Sequence, residues 1–318
     1  MNILMIAQND PAGRAIELCK AINAMSEHRS RLVTWETRYG HNWGYDIHLP
    51  YMNTELDFDE VVALFEQADI IHFHMCIDEN IQVGPLHVKD YVKGKTIVHH
   101  HHGHPDFRNN PQKYRDKYRN SGRLLFVATP DLLQLLPDAT WLPNVVRIDE
   151  VHHMPRADNI FTNEIIRIAH SPTRKELKNT EEFLRVTEAI KTEYPQIEVD
   201  VIENTAHIDC LLRKRRCQIV FDHMQGYFGI SSLESLSQGT CVIAGLNDFV
   251  KKHIQEFTGV ETIPWVVARS EEELDKVLRD LLSSPEKRRA IGNQSRLWME
   301  NHWDREHCIA RYLEQIEA

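Results

Sequence analysis

The chain has 318 residues and a mass of 37.2 kDa, a length that favours two domains over a single core. Its 37 Lys and Arg residues against 47 Asp and Glu residues give a formal net charge of −10, which argues against a dedicated nucleic-acid-binding protein. No apolar run approaches the ~18 residues of a membrane span, the first residues lack the pattern of a signal peptide, and the six cysteines are scattered without a CxxC pair. These features predict a reduced cytoplasmic protein without a disulfide framework.

Strand-like apolar runs alternate with segments of helical periodicity along the first half of the chain. The strand-like runs are residues 3–7, 31–34, 69–74, 96–99, 124–128 and 140–142. Helical spacing of apolar residues follows Gly13 and precedes Asp69. Such alternation is typical of parallel sheets with helices on both faces.

The second half of the chain repeats this scheme. Its strand-like runs are residues 165–170, 198–202, 219–222, 241–245 and 261–264, and its helical segments are 180–193, 231–238, 248–256 and 271–283. The sequence therefore predicts an α/β protein made of two doubly wound units that are joined within residues 145–161. In such a tandem, ligands bind in the cleft that the carboxyl ends of both sheets face.

Residues 226–244 read as a glycine turn, a short helix and a buried strand. Gly229 lets the backbone come close to a ligand because it has no Cβ. Ser231 and Ser232 then begin a helix whose N-terminal amides and dipole favour a phosphate, and Glu234 one turn on can accept hydrogen bonds from sugar hydroxyls. The segment predicts a nucleotide site, although glycine-rich strand–turn–helix connections also occur in doubly wound folds without one.

Residues 170–180 follow the first strand of the second half and precede a helix that Asn179 or Thr180 can cap. Arg174 and Lys178 are candidates for contact with a diphosphate, because a guanidinium forks onto phosphate oxygens and an ammonium acts as a point charge. The alternative is a solvated basic start of a helix. The position at the end of a strand favours the diphosphate.

Histidines occupy five of the six positions from 99 to 104, at the end of a strand and the start of a loop. Three interpretations remain open: imidazoles held by backbone and loop contacts, metal ligands, or an imidazole beside a substrate. Adjacent histidines on an extended segment point to opposite faces, and no HxxxH or Cys/His set nearby completes a metal shell. The sequence therefore predicts no metal site, and a metal hydrolase built on this run is disfavoured.

The loop after the first strand, residues 9–14, contains one glycine, Gly13. The GxGxxG fingerprint of a dinucleotide-binding domain is therefore absent, and a dinucleotide cofactor is not expected. Gly13 at the start of a helix is compatible with a plain turn or with a ligand-binding loop.

Residues 108–123 form a basic segment in an acidic chain, with six Lys or Arg residues against Asp116, and with Tyr114 and Tyr118 four residues apart. A solvated helix face explains this composition. The alternative is contact with anionic lipid headgroups or a lipid-linked acceptor, with the tyrosines at the interface.

The segment 226–244 resembles the donor-binding signature of retaining GT-B glycosyltransferases of the family 4-like group, which reads roughly Glu-Gly-Phe-Gly, then Glu-Ala-Met-Ala, Gly and Pro-Val-Ile. In that group the second glutamate holds the ribose of the nucleotide, and it matches Glu234. The first glutamate, which contacts the donor sugar, falls on Gly226. Asp222 and Gln225 are the candidates for the missing contact.

Two further segments are similar to motifs of the same group. Arg174 and Lys178 match its Arg…Lys-Gly grip on the donor pyrophosphate, with a shortened spacing and Asn179 in place of the glycine. His102 with Gly103 matches a His-Gly pair beside the donor sugar. The resemblance thus predicts catalytic roles for His102, Arg174 and Lys178, donor contacts from Gly13, Asp222, Gly229, Ile230, Ser231 and Glu234, and secondary candidates at His104, Gln225 and Thr173.

The resemblance covers nearly the whole chain and implies a GT-B fold, in which two Rossmann-like domains face a central cleft. It implies an acceptor-side domain at 1–155, a nucleotide-sugar donor domain at 156–299, and a C-terminal helix at about 300–318 that packs back on the first domain.

The implied activity is that of a retaining hexosyltransferase without metal or cofactor. It would take a UDP- or GDP-sugar as donor and a glycan, a lipid-linked molecule or a small molecule as acceptor, in the cytoplasm or at the inner face of the membrane through residues 108–123. Two alternatives stay open: a nucleotide-sugar epimerase or phosphorylase on the same scaffold, and a catalytically silent nucleotide-sugar-binding protein.

Overall fold

The computed structural model describes residues 1–38, 44, 46–49, 55–156, 160–162 and 164–318. It divides the chain into two compact units: unit 1 consists of Met1–Val145 with Arg305–Ala318, and unit 2 of Val146–Asp304. The limits predicted from the sequence are residues 155 and 299. Residues 157–159 of the predicted connection lie outside the described residues.

Strands and helices alternate along both units. The strands are β1 (Asn2–Ala7), β2 (Arg29–Thr34), β3 (Ile47–His48), β4 (Ile70–His74), β5 (Gln82–Val83), β6 (Leu86–His87), β7 (Thr96–His101), β8 (Leu124–Val127), β9 (Thr140–Trp141), β10 (Ile166–His170), β11 (Ile197–Val201), β12 (Ile219–Phe221), β13 (Cys241–Ala244) and β14 (Val266–Val267). The α-helices are α1 (Arg14–Met25), α2 (Glu55–Gln67), α3 (Pro105–Asn109), α4 (Pro111–Tyr118), α5 (Thr180–Lys191), α6 (His207–Lys214), α7 (Ile230–Ser237), α8 (Asp248–Thr258), α9 (Glu271–Ser283), α10 (Pro285–His302) and α11 (Arg305–Glu317).

Unit 1 is built on a parallel sheet with the order β3-β2-β1-β4-β7-β8-β9, beside a separate antiparallel hairpin of β5 and β6. β4 is buried over its whole length, and β1 is buried from Ile3 to Ala7, as expected for strands covered on both faces. The chain leaves β1 toward β2 on one side and β4 toward β7 on the other. The carboxyl ends of β1 and β4 therefore form the switch point of this sheet, where open α/β folds bind ligands.

Helix α11 belongs to unit 1 although it follows unit 2 in the chain. Tyr312 on this helix is fully buried, and its ring stacks on His72 of β4 at 5.4 Å between centroids and lies 5.3 Å from the ring of Phe126 on β8. Arg311 adds a cation–π contact with Trp141, at 5.7 Å from the ring centroid. The sheet of unit 1 thus gains part of its cover from the C-terminal helix.

Unit 2 has a five-stranded parallel sheet with the order β11-β10-β12-β13-β14. Its core includes Phe183 and Phe221, whose rings stack at 4.9 Å. The strand order reverses between β10 and β12, whose last residues, His170 and Phe221, are paired in register. The carboxyl ends of these two strands form the switch point of unit 2.

The element predictions fail at two places in unit 2. The strand predicted at 261–264 is wrong: the edge strand β14 lies at Val266–Val267, beyond Pro264, which has no N–H for a ladder. Helix α6 is not among the helical segments predicted from the sequence. Among the described residues, no helix combines the length and the hydropathy that crossing a membrane requires.

Candidate functional site

The predicted donor residues of unit 2 gather at the carboxyl ends of β10 and β12. The loop after β10 carries residues 171–179, Asp222 directly follows β12, and α7 begins at Ile230 after the Gly226 turn. This is the switch point of the sheet, so the topology alone places the motifs where ligands bind in such folds.

Asp222 is the centre of this arrangement. Its buried carboxylate accepts hydrogen bonds from the Gly229 amide at 2.6 Å, the Ser232 hydroxyl at 2.8 Å and the Lys178 ammonium at 2.7 Å. Burial acts to raise the pKa of Asp222, but the charges of Lys178 and His223 and these hydrogen bonds together hold the pKa well below its usual range. The carboxylate is therefore ionised, and it ties the loop after β10 to the first turn of α7.

Two glycines shape the turn between β12 and α7. Gly226 has a φ of +90°, in the left-handed region, and a Cβ there would lie 3.1 Å from Nδ2 of Asn247. Gly229 has an ordinary φ of −98°, but a Cβ there would lie 3.1 Å from the Lys178 ammonium and 3.3 Å from both Asp222 oxygens. The backbone conformation at Gly226 thus disfavours any side chain, including the glutamate found there in the signature that this segment resembles.

Glu234 forms a second buried carboxylate site one turn into α7. It accepts hydrogen bonds from Nε2 of His207 at 2.6 Å and from the ammonium of Lys214 at 2.5 Å. Burial acts to raise the pKa of Glu234, whereas the charges of Lys214 and His207 bring it well below the usual range. Lys214 is itself fully buried and reaches the Ser231 hydroxyl at 3.1 Å, so it joins both ends of the first turn of α7.

The loop after β10 adds polar contacts to the same turn. The hydroxyls of Ser171 and Ser231 lie 3.0 Å apart. Asn179 has a φ of +52° and its side-chain oxygen accepts the amide of Met224 at 2.9 Å, so its side chain does not cap α5. Asparagine tolerates the left-handed conformation better than most residues, which explains how it replaces the glycine of the family motif.

Three predicted residues of unit 2 lie apart from these contacts. Arg174 is exposed and pairs with Glu176 at 2.7 Å, Thr173 is exposed, and the exposed Gln225 accepts a hydrogen bond from the Tyr227 hydroxyl at 3.4 Å. The structure thus brings together Lys178, Asp222, Gly229, Ser231 and Glu234. Arg174, Thr173 and Gln225 lie at the surface nearby and take no part in these contacts.

The candidate residues of unit 1 lie at the ends of its strands. Gly13 has a φ of +65° at the N-terminus of α1. The residue His102 is half-buried, with Nε2 at 3.1 Å from Nδ1 of His74. Desolvation of the ring, followed by the charges of His74 and Arg14, lowers the pKa of His102 far below the ordinary value. His104 caps α3 by accepting the amide of Asp106 at 3.2 Å, which gives it a structural task.

Side chains of the basic segment 108–123 are buried in unit 1 or paired with other residues of it. Tyr114 and Tyr118 are buried rather than placed at a surface, and the Tyr118 hydroxyl lies 2.9 Å from Nε2 of His101. The expectation that these tyrosines sit at a lipid interface is therefore wrong. The cations have protein partners, namely Arg108 with Asp131, Lys113 with Asp106, Lys117 with Asp78, Arg119 with Asp116, Arg123 with Glu79, and Arg115 with the carbonyls of Gln134 and Leu135.

Several residues of the site were missed from the sequence. Lys214 belongs to a run of four basic residues at the end of α6, which reads as a solvated surface, and His207 carries no motif at all. In unit 1, His72 and His74 lie on β4, next to the histidine run on β7, and the sequence predicts an apolar strand there. Only the pairing of distant strands and helices reveals these partners.

No protein-family model matches the chain, and no curated protein is similar to it in sequence. Its structure, however, is similar to solved structures over its whole length. HepE of Anabaena, described in complex with UDP and glucose, has a TM-score of 0.69 at 14% identity, with all of both chains covered. A glycosyltransferase of Rickettsia africae has a TM-score of 0.60 at 12% identity, covering 99% of this chain and 97% of the other.

A third similar structure is described as a putative UDP-N-acetylglucosamine 2-epimerase of Listeria monocytogenes, with a TM-score of 0.58 at 16% identity, covering 100% of this chain and 96% of the other. These similarities confirm the predicted fold class: the chain has the GT-B fold, with two Rossmann-like units.

Proposed function

We propose that the chain is a retaining glycosyltransferase that moves a hexosyl group from a UDP- or GDP-sugar to a glycan, lipid-linked or small-molecule acceptor. The fold supports this proposal, as do the UDP and glucose described for HepE and the transferase from Rickettsia africae. The observation that carries it is the pair of buried, ionised carboxylates, Asp222 and Glu234, each with its own lysine at the first turn of α7.

Glu234 is suited to hold a ribose. A carboxylate offers about four lone-pair sites, of which His207 and Lys214 use two. Two sites therefore remain for the hydroxyls of a ribose, and the fixed charge of Lys214 keeps the group ionised as an acceptor. Ser231 and the amides at the start of α7 favour the diphosphate beside it.

Lys178 is the proposed contact of the diphosphate. As the nucleoside diphosphate departs, negative charge grows on its β-phosphate, and a fixed ammonium stabilises that charge without a metal ion at the phosphates. Lys178 is 22% exposed and bonded to Asp222, so it is fixed in place and still open to a ligand. Arg174 is the second proposed phosphate contact, and His102 the proposed residue that orients the donor sugar.

The first experiment is a thermal-shift screen with UDP, GDP, UDP-glucose, UDP-N-acetylglucosamine and GDP-mannose. A ligand that binds the folded state raises its melting temperature, and a concentration of 100 times Kd adds about 2.7 kcal/mol. We expect a shift with one diphosphate and its sugar forms, and its loss in Lys178→Ala. An unchanged shift in that variant would remove Lys178 from the phosphate site.

The second experiment follows donor turnover with candidate acceptors, with the anomeric configuration of the product read by proton NMR. We expect the configuration of the donor to be retained, and no rise in rate when Mg²⁺ or Mn²⁺ is added. Inversion at the anomeric carbon would contradict the retaining assignment, and a strict requirement for added Mg²⁺ would contradict transfer without a metal at the phosphates.

Two other functions are candidates. A silent nucleotide-sugar binder is favoured by the absence of a side chain at Gly226, where the resembled family has a sugar-contacting glutamate. A nucleotide-sugar epimerase is favoured by the similarity to the Listeria protein. Incubation with a donor and no acceptor separates the cases: an epimerase converts the sugar, a binder shifts the melting temperature without any product, and a transferase needs the acceptor for full turnover.

A further inference from the structure

Three histidines of unit 1 share one face of two neighbouring strands. β4 and β7 are parallel, with His74 paired to His100 and His72 paired to Val98. Because side chains alternate along a strand, His72, His74 and His100 point to the same side of the sheet, whereas His99 and His101 point to the other. The rings of His72 and His74 stack at 4.3 Å between centroids.

The ring nitrogens of these histidines are arranged as in metal ligands. Nδ1 of His72 lies 3.2 Å from the Tyr312 hydroxyl, and Nδ1 of His74 lies 3.1 Å from Nε2 of His102. Nε2 of both rings and both nitrogens of His100 are buried and have no hydrogen-bond partner. A histidine that binds a metal through one nitrogen donates the other N–H to a fixed partner, and Nδ1 of His72 and of His74 each has a polar atom within hydrogen-bond distance that could accept it.

Buried polar atoms without partners are rare in proteins, and each costs about 1–3 kcal/mol. Ring nitrogens elsewhere in the chain also lack partners, for example Nδ1 of His99 and of His101, but here four such nitrogens lie on three neighbouring rings of one sheet face. One ligand nitrogen from each of the three rings lies within 4.8 Å of the others. Two Zn–N bonds of about 2.1 Å span at most about 4.2 Å across an ion, so small movements of the rings would close the shell.

The residues around the cluster carry charges of both signs. Arg14 is a cation that acts on His74 and His100. Asp10 and Asp131 act on Arg14 with the opposite sign, while Arg108 adds a further positive charge beside it. A metal ion at the three histidines would therefore have both acidic and basic side chains in its surroundings.

We propose that His72, His74 and His100 bind one late transition-metal ion, Zn²⁺ in the first instance, with His102 as the residue that orients His74. Imidazole suits zinc, and a three-histidine set leaves a fourth position for water or another ligand. The histidine run on β7 supplies one of these ligands, and β4 supplies the other two, which is why the run by itself predicts no metal site. The site lies within unit 1 and does not depend on the proposed transferase activity.

The test uses the full chain purified without a histidine tag, stripped with EDTA and then incubated with Zn²⁺. We expect about one zinc ion per chain by mass spectrometry of the metal content, and a higher melting temperature with Zn²⁺ than with EDTA. Replacement by Co²⁺ should give the visible absorption of a nitrogen-coordinated tetrahedral ion. A chain that retains less than about a fifth of an equivalent of zinc would overturn the proposal.

The matched variants are His100→Gln and His101→Gln, which change neighbouring buried residues on opposite faces of β7. We expect His100→Gln to lose zinc and the Co²⁺ spectrum, and His101→Gln to keep both. His102→Gln should weaken Zn²⁺ binding about 10–100-fold by releasing His74. Circular dichroism in EDTA establishes that each variant is folded, and His72→Gln replaces His100→Gln if the latter is not. Equal zinc loss in the folded His100→Gln and His101→Gln variants would contradict the site.

Metal content separates this proposal from the proposed function. A chain that binds zinc but turns over no nucleotide sugar supports the site and contradicts the transferase. A chain that transfers sugar equally well after complete removal of zinc, but binds one equivalent, supports both.

Discussion

The ammonium of Lys178 lies 2.7 Å from Oδ1 of Asp222, and the other oxygen of that carboxylate accepts the amide of Gly229 at 2.6 Å. The cation predicted to hold a diphosphate is therefore paired with a carboxylate of the chain itself. A nucleotide that reaches Lys178 has to compete with Asp222 for the same charge.

This competition predicts opposite effects of two substitutions on diphosphate binding. Asp222→Asn keeps the shape of the side chain but frees Lys178, so we expect tighter binding of UDP or GDP. Lys178→Met removes the cation and should weaken binding at least about tenfold, which is about 1.4 kcal/mol. Isothermal titration calorimetry measures both. Weaker binding in both variants would show that Asp222 itself helps to hold the ligand.

The two variants also differ from the native chain in stability. Lys178→Met leaves the buried carboxylate of Asp222 without its cation, and loss of one partner of a buried ion pair costs up to about 3–5 kcal/mol. Asp222→Asn leaves Lys178, which is 22% exposed and can be solvated, but weakens the hydrogen bonds to Gly229 and Ser232 at the start of α7. We therefore expect both variants to lower the free energy of unfolding in urea.

Glu234 and Lys214 should behave as a coupled pair. Lys214→Met alone leaves a buried carboxylate with one partner fewer, whereas Lys214→Met combined with Glu234→Gln leaves no uncompensated charge. We expect the double variant to be more stable than the sum of the single effects predicts, by about 1–3 kcal/mol in a urea-unfolding cycle.

The control pair is Lys252 and Glu256, which are 72% and 55% exposed at 3.6 Å. Their removal should change the free energy of unfolding by less than about 1 kcal/mol. Simple additivity at Lys214 and Glu234 would mean that the two charges do not interact.

The fold was predictable because its signal is local. Runs such as Ile3–Ala7 are apolar throughout, as parallel strands are, and the glycine turns mark where strands end. The partners of the site were not predictable, because they depend on tertiary contacts. Lys214 is indistinguishable in sequence from Arg213, Arg215 and Arg216 beside it, none of which is buried, and the pairing of His74 with His100 requires the strand register.

Gly226→Ala should destabilise unit 2 through the backbone. Its φ of +90° disfavours a side chain by about 1–2 kcal/mol, and the added Cβ would lie 3.1 Å from Asn247, which caps α8. Gly94→Ala is the control, since Gly94 has a φ of +78° with nothing within 4 Å of a Cβ. We expect a larger loss of stability for Gly226→Ala by thermal or urea unfolding. Equal losses of stability in the two variants would show that the whole effect comes from the left-handed backbone and none from the contact with Asn247.

His170 predicts a pH dependence of stability. Its Nδ1–H donates to the carbonyl of Phe221 at 3.1 Å and its Nε2 accepts the Thr180 hydroxyl at 2.8 Å, so the ring is neutral in the folded chain. Burial lowers its pKa from 6.5 to about 4. The unfolded chain therefore binds a proton at His170 below about pH 6.5, whereas the folded chain binds it only below about pH 4. The free energy of unfolding falls as the pH drops through this window.

The contribution of His170 is about 3 kcal/mol between pH 6.5 and 4. We expect His170→Gln to be less stable than the native chain at pH 7 and to lose less stability on acidification to pH 5. NMR titration of the imidazole provides the direct measurement. A ring that titrates near pH 6.5 in the folded chain would contradict the prediction.

Contact of residues 108–123 with an anionic membrane stays a prediction. The structure indicates which cations can be replaced to test it without damage to the fold. Arg115 binds the carbonyls of Gln134 and Leu135, so its charge reversal would damage the fold. Lys113 and Arg119 are 62% and 67% exposed and are the better choices. We expect Lys113→Glu with Arg119→Glu to abolish co-sedimentation with phosphatidylserine vesicles, and unchanged sedimentation would remove the contact.

The return of α11 to unit 1 has a consequence for synthesis on the ribosome. Roughly 160 residues of unit 2 separate the two parts of unit 1 in the chain. At about 5–20 residues per second, they take about 8–30 s to translate. During that interval the sheet of unit 1 lacks Tyr312, and His72 and Phe126 have no cover from it. Unit 2 can therefore complete its fold first, and the nascent first half is the part that would benefit from a chaperone.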